Sequence, residues 1–242
     1  MVGVGTSIFV HSCPFTPTAP TLEPMQRRDP KYSAIIPPNG GYEKLKSYQV
    51  AKLLYDVTVR FVDRYIPNGS RTRDQMEQAA RSGERNIAEG SKISATTKKL
   101  ELNLTSVARA SLDELRLDYE SYLEHRKLPL WEPMDPRRKE LSNARCKDPD
   151  ELARWIQMVW LREKDERLQA VEGPLTARTP RTVKDRAYAE LSANVGQTLC
   201  KIALHLLDKQ VDSQARAFEK EGGFSERLYK VRSEIKAKKN RD

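Results

Sequence analysis

Between Leu45 and Ile66 the apolar positions fall into two rows. Leu45, Tyr48, Tyr55, Val62 and Ile66 form one, and Val50, Leu54, Val57, Phe61 and Tyr65 the other, while Lys44, Lys46, Lys52, Arg60 and Arg64 take much of the remainder. Residues three and four apart share one side of an α-helix, so two adjacent rows predict a helix with a broad buried face. Pro67-Asn68-Gly69-Ser70 is turn chemistry, and Thr72 followed by Gln75 reads as a capping box that opens a second helix. So short a connection makes the two helices antiparallel neighbours. In the second helix Met76, Ala79, Ala80, Gly83 and Ile87 recur at helical spacing, a slim stripe that lets a neighbouring helix approach closely, and Gly90 is expected to close it as a left-handed cap. Ser94 or Thr96 is expected to start a third helix running towards Leu128, with Leu100, Leu104, Val107, Ala108, Leu112, Leu115, Tyr119 and Tyr122 holding the period. At about 45 Å it exceeds what its neighbours need, so part of it should pack on another element or subunit.

A second helical set follows a charged linker. Asp148 before Pro149, with Glu151 just inside, is a start signal, and Leu152, Trp155, Ile156, Val159 and Trp160 make an amphipathic stripe. Both tryptophans lie in the middle of that stripe, which places them in a core rather than on a base-stacking platform; Trp131 is expected at a core edge. Gly173-Pro174 and Thr179-Pro180 mark a loop. From Thr182 the period resumes through Leu191, Val195, Leu199, Ile202, Leu206 and Val211 to Glu221, where Gly222-Gly223 stops it. Upstream of Gly40, Pro14, Pro17, Pro20, Pro24, Pro30, Pro37 and Pro38 block helix propagation and predict an extended tail. The expected organisation is a tail over 1–40, a core helical bundle over 41–131, a linker over 132–149, further helices packing on the bundle over 150–224, and a basic tail over 225–242. The fold class is all-α: an antiparallel four-helix bundle extended by a C-terminal helical suffix.

Charge adds a direction. Lys and Arg total 43 against 34 Asp and Glu, a net charge of +9 and a pI near 9.4, so the field of the molecule attracts polyanions such as RNA or DNA. Cys13, Cys146 and Cys200 form no CxxC pair, and His11, His125 and His205 are as dispersed, which argues against a disulfide framework and a zinc site. No apolar run reaches the length of a membrane span, and Val2 to Val10 lacks the basic start of a secretory signal, so no membrane association is expected and the cytoplasm is the expected location. The chain carries no phosphate-cradling glycine loop, no HExxH, no GxSxG and no nucleophile with a local base. No catalytic residue, cofactor or metal is therefore expected, and Glu89 is read as a buried structural carboxylate.

The candidate nucleic-acid contacts are Arg81, Arg85 and Lys92 on the second helix and Lys98, Lys99, Arg109 and Arg116 on the third. Arg81 and Arg85 are one turn apart, as contact with successive phosphates requires. The alternative is a salt-bridged surface: Glu77 stands four residues before Arg81, the favourable order for an intrahelical ion pair, and Glu84 and Glu89 dilute the field. From Ser225 to Asp242 seven basic residues face three acidic ones, with Lys236, Lys238, Lys239 and Arg241 at the end. Such an end either grips RNA without sequence preference or stays solvated.

Leu45-Lys46-Ser47-Tyr48-Gln49-Val50-Ala51, Gln75 to Ala80, Asn86-Ile87-Ala88-Glu89-Gly90 and Ala110-Ser111-Leu112-Asp113-Glu114-Leu115 resemble, in order and spacing over about 90 residues, a family of four-helix-bundle proteins. Its members are encoded in intervening sequences of 23S ribosomal RNA genes and include the accessory variability determinant of diversity-generating retroelements. Leu206-Leu207-Asp208-Lys209-Gln210 and Glu221 to Tyr229 resemble the suffix carried by a subset of that family. The resemblance implies a bacterial antiparallel bundle that assembles as a ring, commonly a pentamer, with a basic exterior; the retroelement members are thought to hold nucleic acid and a reverse transcriptase. The chain departs from the pattern at Glu77 and Gln78, where many relatives have basic residues, and at Glu84, where many have proline. Two functions follow as expectations: a non-catalytic oligomeric accessory protein that binds nucleic acid through basic helix faces and assists an RNA or reverse-transcriptase complex, or a scaffold for self-assembly or a protein partner with no nucleic-acid role.

Overall fold

The small residues of the second helix decide how close its neighbour comes, and a computed structural model shows the contact. It describes residues 41–94, 97–170, 179–222 and 224–239. The proline-rich segment with His11 and Cys13, Thr96, Gly173-Pro174 and Arg241 lie outside the described residues. Those described form α1 (Lys46–Tyr65), α2 (Arg71–Ile93), α3 (Lys98–His125), α4 (Pro136–Ala144), α5 (Pro149–Gln169), α6 (Pro180–Glu221) and α7 (Phe224–Lys239), with no strand among them.

A Cβ added at Gly83 would lie 2.3 Å from Leu112 Cδ2, so α2 and α3 touch where only glycine fits. The same device recurs in α6, where a Cβ on Gly196 would lie 2.3 Å from Tyr119 Cζ. Phe61 of α1 fills the space between, its ring centroid 5.0 Å from that of Tyr119 and 4.8 Å from that of Tyr122, and Thr58 Oγ1 pairs with the buried Tyr119 hydroxyl at 3.0 Å. Leu54, Met76, Ile87, Leu112, Leu115 and Leu123 complete a dry centre.

The fourth side of the bundle is α6. Ser47 Oγ donates to Gln210 Oε1 at 2.6 Å near the start of α1, and the Tyr65 and Ser192 hydroxyls meet at 3.5 Å at its end. Along α3, Gln214 donates to Glu101 at 3.1 Å, Arg109 pairs with Asp208 at 2.5 Å and Gln197 donates to Glu120 at 2.7 Å. Ascending numbers on α1 and α3 therefore meet descending numbers on α6, and with the short α1–α2 and α2–α3 connections the bundle runs up, down, up, down. α6, at 42 residues and roughly 63 Å, is longer than any of its partners. α4 and α5 are inserted between the third and fourth bundle helices and pack against α6.

A partly buried ionic cluster around the buried Glu190 holds that insertion. Arg167 of α5 pairs with Glu190 of α6 at 2.7 Å and with Glu163 at 2.9 Å, while Arg137 of α4 pairs with Asp135 at 2.7 Å and Glu163 at 3.3 Å. Asn194 accepts from the Trp131 backbone N–H at 2.8 Å and donates to the Pro129 carbonyl at 2.9 Å. Trp155 and Trp160 are buried, as their place on the apolar stripe of α5 requires, and Trp131, in the connection between α3 and α4, is buried rather than at a core edge. Asp148 caps α5 as predicted, accepting from the N–H groups of Asp150 and Glu151.

Three local expectations are corrected. Ser70, not Thr72, precedes α2, and its side chain makes no capping bond. α2 continues through Gly90 to Ile93, because Gly90 lies in the seam, where an added Cβ would sit 3.4 Å from the Glu101 carbonyl oxygen and from Leu104 Cβ, and serves close packing rather than chain reversal. α3 begins at Lys98 behind Thr97 and ends at His125, short of Leu128. After Gly222, at φ 68°, the chain is again helical as α7 up to Lys239. None of the described side chains of α7 is buried.

Candidate nucleic-acid interface

The outward side of α2 carries the first group of predicted contacts. Arg81 is exposed and forms no ion pair among the described residues. Glu77 pairs with Arg73 at 3.5 Å instead of with Arg81, and Arg73 also holds Asp63 of α1. The expected Glu77–Arg81 pair is thus absent: Arg73, one turn earlier and anchored by Asp63, takes the carboxylate. Arg85 is exposed, 3.3 Å from Glu84, and the Lys92 ammonium lies 5.0 Å from the Tyr42 ring centroid. These side chains form an open basic line interrupted by exposed Glu89.

Glu89 is not the buried carboxylate. That role falls to Glu84, which accepts from the Tyr48 hydroxyl at 2.9 Å across the α1–α2 seam. Glu84 adjoins Gly83 on the inner side, whereas position 89 points to water. Burial, reinforced by the hydrogen bond to Glu84, pushes the Tyr48 hydroxyl up to about 12.

On α3 the predicted contacts divide. Lys99 is exposed without an ion pair among the described residues, and Lys98 is tied to Glu101 at 3.1 Å. Arg109 is engaged with Asp208 on α6, and Arg116, mostly covered, is held by Asp113 and Glu120, both at 2.7 Å. Hydrogen bonds to these carboxylates raise the affinity of both guanidinium groups for their protons. Arg109 thus joins α3 to α6 and Arg116 is neutralised within α3, which leaves little field for a phosphate at either. Lys236 on α7 is exposed; the side chains of Lys238 and Lys239 lie outside the described ones. A shallow groove between α2 and α3 is lined by Asp74, Glu114 and Asp118 with Arg71 opposite, and burial and the neighbouring Glu114 raise the Asp118 carboxyl. Three carboxyl groups against one guanidinium make this groove a poor place for a phosphate.

Sequence reading missed a basic cluster built from distant residues. Arg64 and Tyr65 at the end of α1, Tyr122 and Arg126 at the end of α3, and Arg181 and Arg186 on the first turns of α6 line a cavity of about 780 Å³. Arg126 donates to the Tyr65 carbonyl at 2.9 Å and lies over the Tyr122 ring; Arg186 donates to the Lys127 carbonyl at 2.7 Å. None of the four arginines forms an ion pair among the described residues, and Asp185 is the one carboxylate in the lining. The four are dispersed over more than a hundred positions, so no local signal announces them. Among the described residues no group of His, Cys, Asp and Glu is placed to hold a metal ion, and no helix is long and apolar enough to cross a membrane. Comparison with protein-family models, with curated proteins and with solved structures finds no match to this chain.

Proposed function

We propose that this protein is a non-catalytic, oligomeric accessory protein that binds RNA or DNA through cations on its outward helix faces and assists an RNA or reverse-transcriptase complex in the cytoplasm, as the resemblance to the ribosomal intervening-sequence family implies. The observation that supports this reading is the line of Arg81, Arg85 and Lys92 along α2. It is exposed and, at Arg81, left without an ion pair among the described residues, although acidic side chains are near enough in sequence to have neutralised it. Exposed cations at helical spacing meet a phosphate backbone without reading bases, so affinity should be general and salt-dependent. The test is fluorescence anisotropy with a single-stranded RNA and a duplex DNA of equal length over a salt series. We expect the logarithm of the affinity to fall linearly with the logarithm of salt, and Arg81→Ala with Arg85→Ala to make the slope shallower by about 1–2. An affinity indifferent to salt would overturn the reading.

A specific observation favours the second reading, a self-assembling scaffold. Leu100 and Val107 lie seven residues apart on one line of α3 at 38% and 49% exposure, and Met158 and Leu161 on α5 reach 60% and 54%. Light-scattering mass together with the ratio of absorbance at 260 and 280 nm separates the two: a multimer that retains no nucleic acid and takes none up supports the scaffold.

A further inference from the structure

Where α1 and α3 end and α6 begins, four guanidinium groups from three helices converge on one cavity. Two of them have a structural part, since Arg126 and Arg186 donate to the carbonyls of Tyr65 and Lys127 at the ends of α1 and α3, where a cation also relieves the negative end of a helix dipole. That accounts for one N–H of each and leaves the rest of both forks open. Arg64 and Arg181 have no such duty: Arg181 makes no hydrogen bond or ion pair among the described residues, and Arg64 only lies 5.7 Å from the Tyr65 ring centroid. Against four positive charges the lining sets a single carboxylate, Asp185, and the first turn of α6 adds the positive end of its dipole. Tyr122, 6% exposed, contributes to the wall.

We propose that this cavity binds a phosphomonoester, the dianionic phosphate of a nucleotide. The charge count favours it: a net excess of three positive charges is matched better by a dianion than by the single charge of a phosphodiester inside a strand. Arginine forks match the paired oxygens of a phosphate, and about 780 Å³ is room for a nucleotide. The same chemistry is offered by a free mononucleotide and by the 5′-phosphate end of a nucleic-acid strand. The inference does not depend on the function proposed above, because inorganic phosphate and a mononucleotide suffice to test it.

The experiment uses the full chain. Isothermal titration with inorganic phosphate and with adenosine 5′-monophosphate is run against sodium chloride at matched ionic strength, and anisotropy competition compares a 5′-phosphorylated with a 5′-hydroxyl oligonucleotide of one sequence. We expect saturable binding of phosphate and the mononucleotide. If the strand end is the source, the phosphorylated oligonucleotide binds roughly tenfold more tightly than its hydroxyl twin; if the free nucleotide is the source, the two oligonucleotides bind alike while the mononucleotide still saturates. Arg64→Ala with Arg181→Ala, both exposed and free of backbone contacts, should abolish phosphate and mononucleotide binding in a protein of unchanged helicity. Arg81→Ala with Arg85→Ala should lower affinity for both oligonucleotides equally and leave mononucleotide binding intact, so the two proposals fail separately. Heat of binding no greater for phosphate and the mononucleotide than for chloride would overturn the proposal, as would retention of binding by the Arg64→Ala, Arg181→Ala protein.

Discussion

At the scale of single residues, glycine decides the geometry of this bundle. Within a helix exposed to water, alanine is favoured over glycine by about 1 kcal/mol. At Gly196 the sign reverses, since a methyl group would enter the Tyr119 ring, while at Gly83 it would displace the Leu112 side chain. Tyr119 is wedged by Phe61 and bonded to Thr58, so it has little freedom to retreat. We expect Gly196→Ala to cost roughly 1–3 kcal/mol in chemical denaturation, and a neutral or stabilising result would show that the α3–α6 contact is looser than described. Tyr48 supplies a pH signature at the same scale. Its folded hydroxyl titrates near 12 and its unfolded hydroxyl near 10, so the folded state keeps the proton longer. The contribution is complete below pH 10 and is lost as pH rises from 10 towards 12. Tyr48→Phe should therefore flatten the fall of stability over that window, as read from melting curves at stepped pH.

Among elements, α6 carries the most consequence. It closes the bundle against α1 and α3 and anchors α4 and α5 through Glu190. Removing Glu190 leaves Arg167 mostly covered with one partner fewer; Glu190→Ala is expected to lower stability by about 3 kcal/mol, and Glu190→Ala with Arg167→Met should recover part of that loss. A loss equal in the single and double variants would remove the cluster from the account of how the insertion is held. α7 stands at the other extreme, because none of its described side chains is buried. Ending the chain at Glu221 should shift the melting temperature by no more than about 2 °C. A chain comprising only residues 41–131, by contrast, lacks α6 and leaves Tyr119 without the cover of Gly196; it should fail to give a cooperative thermal transition.

For the molecule as a whole, the net charge of +9 says less than its distribution. Part of the positive charge is held in ion pairs: Arg109 by Asp208 across the α3–α6 contact, Arg116 by Asp113 and Glu120 within α3, Arg137 and Arg167 by the cluster under α5. Among the described residues Arg81 on α2 and the four arginines around the cavity at the bundle end form no ion pair, while the α2–α3 groove carries more acidic than basic side chains. Surface charge change should therefore have local results. Arg109→Ala should alter salt-dependent affinity little and destabilise by no more than about 1 kcal/mol, as an exposed pair does; a large drop in affinity would place Arg109 in the interface.

The amphipathic periods of α1, α2, α3 and α6, the Asp148 cap and the burial of Trp155 and Trp160 were legible in the chain, because each depends on neighbours within a turn or two. The all-α class follows from those local terms alone. Contacts between distant positions were not legible. Whether Glu84 or Glu89 enters the seam turns on helix phase relative to a neighbour, and Glu77 chose Arg73 over Arg81 because Asp63 reaches in from another helix. Arg64, Arg126, Arg181 and Arg186 become one cluster only when three helix ends meet. Period and propensity settle what each segment becomes; packing between segments settles which like charges must face one another, and that energy has no counterpart in the order of residues along the chain.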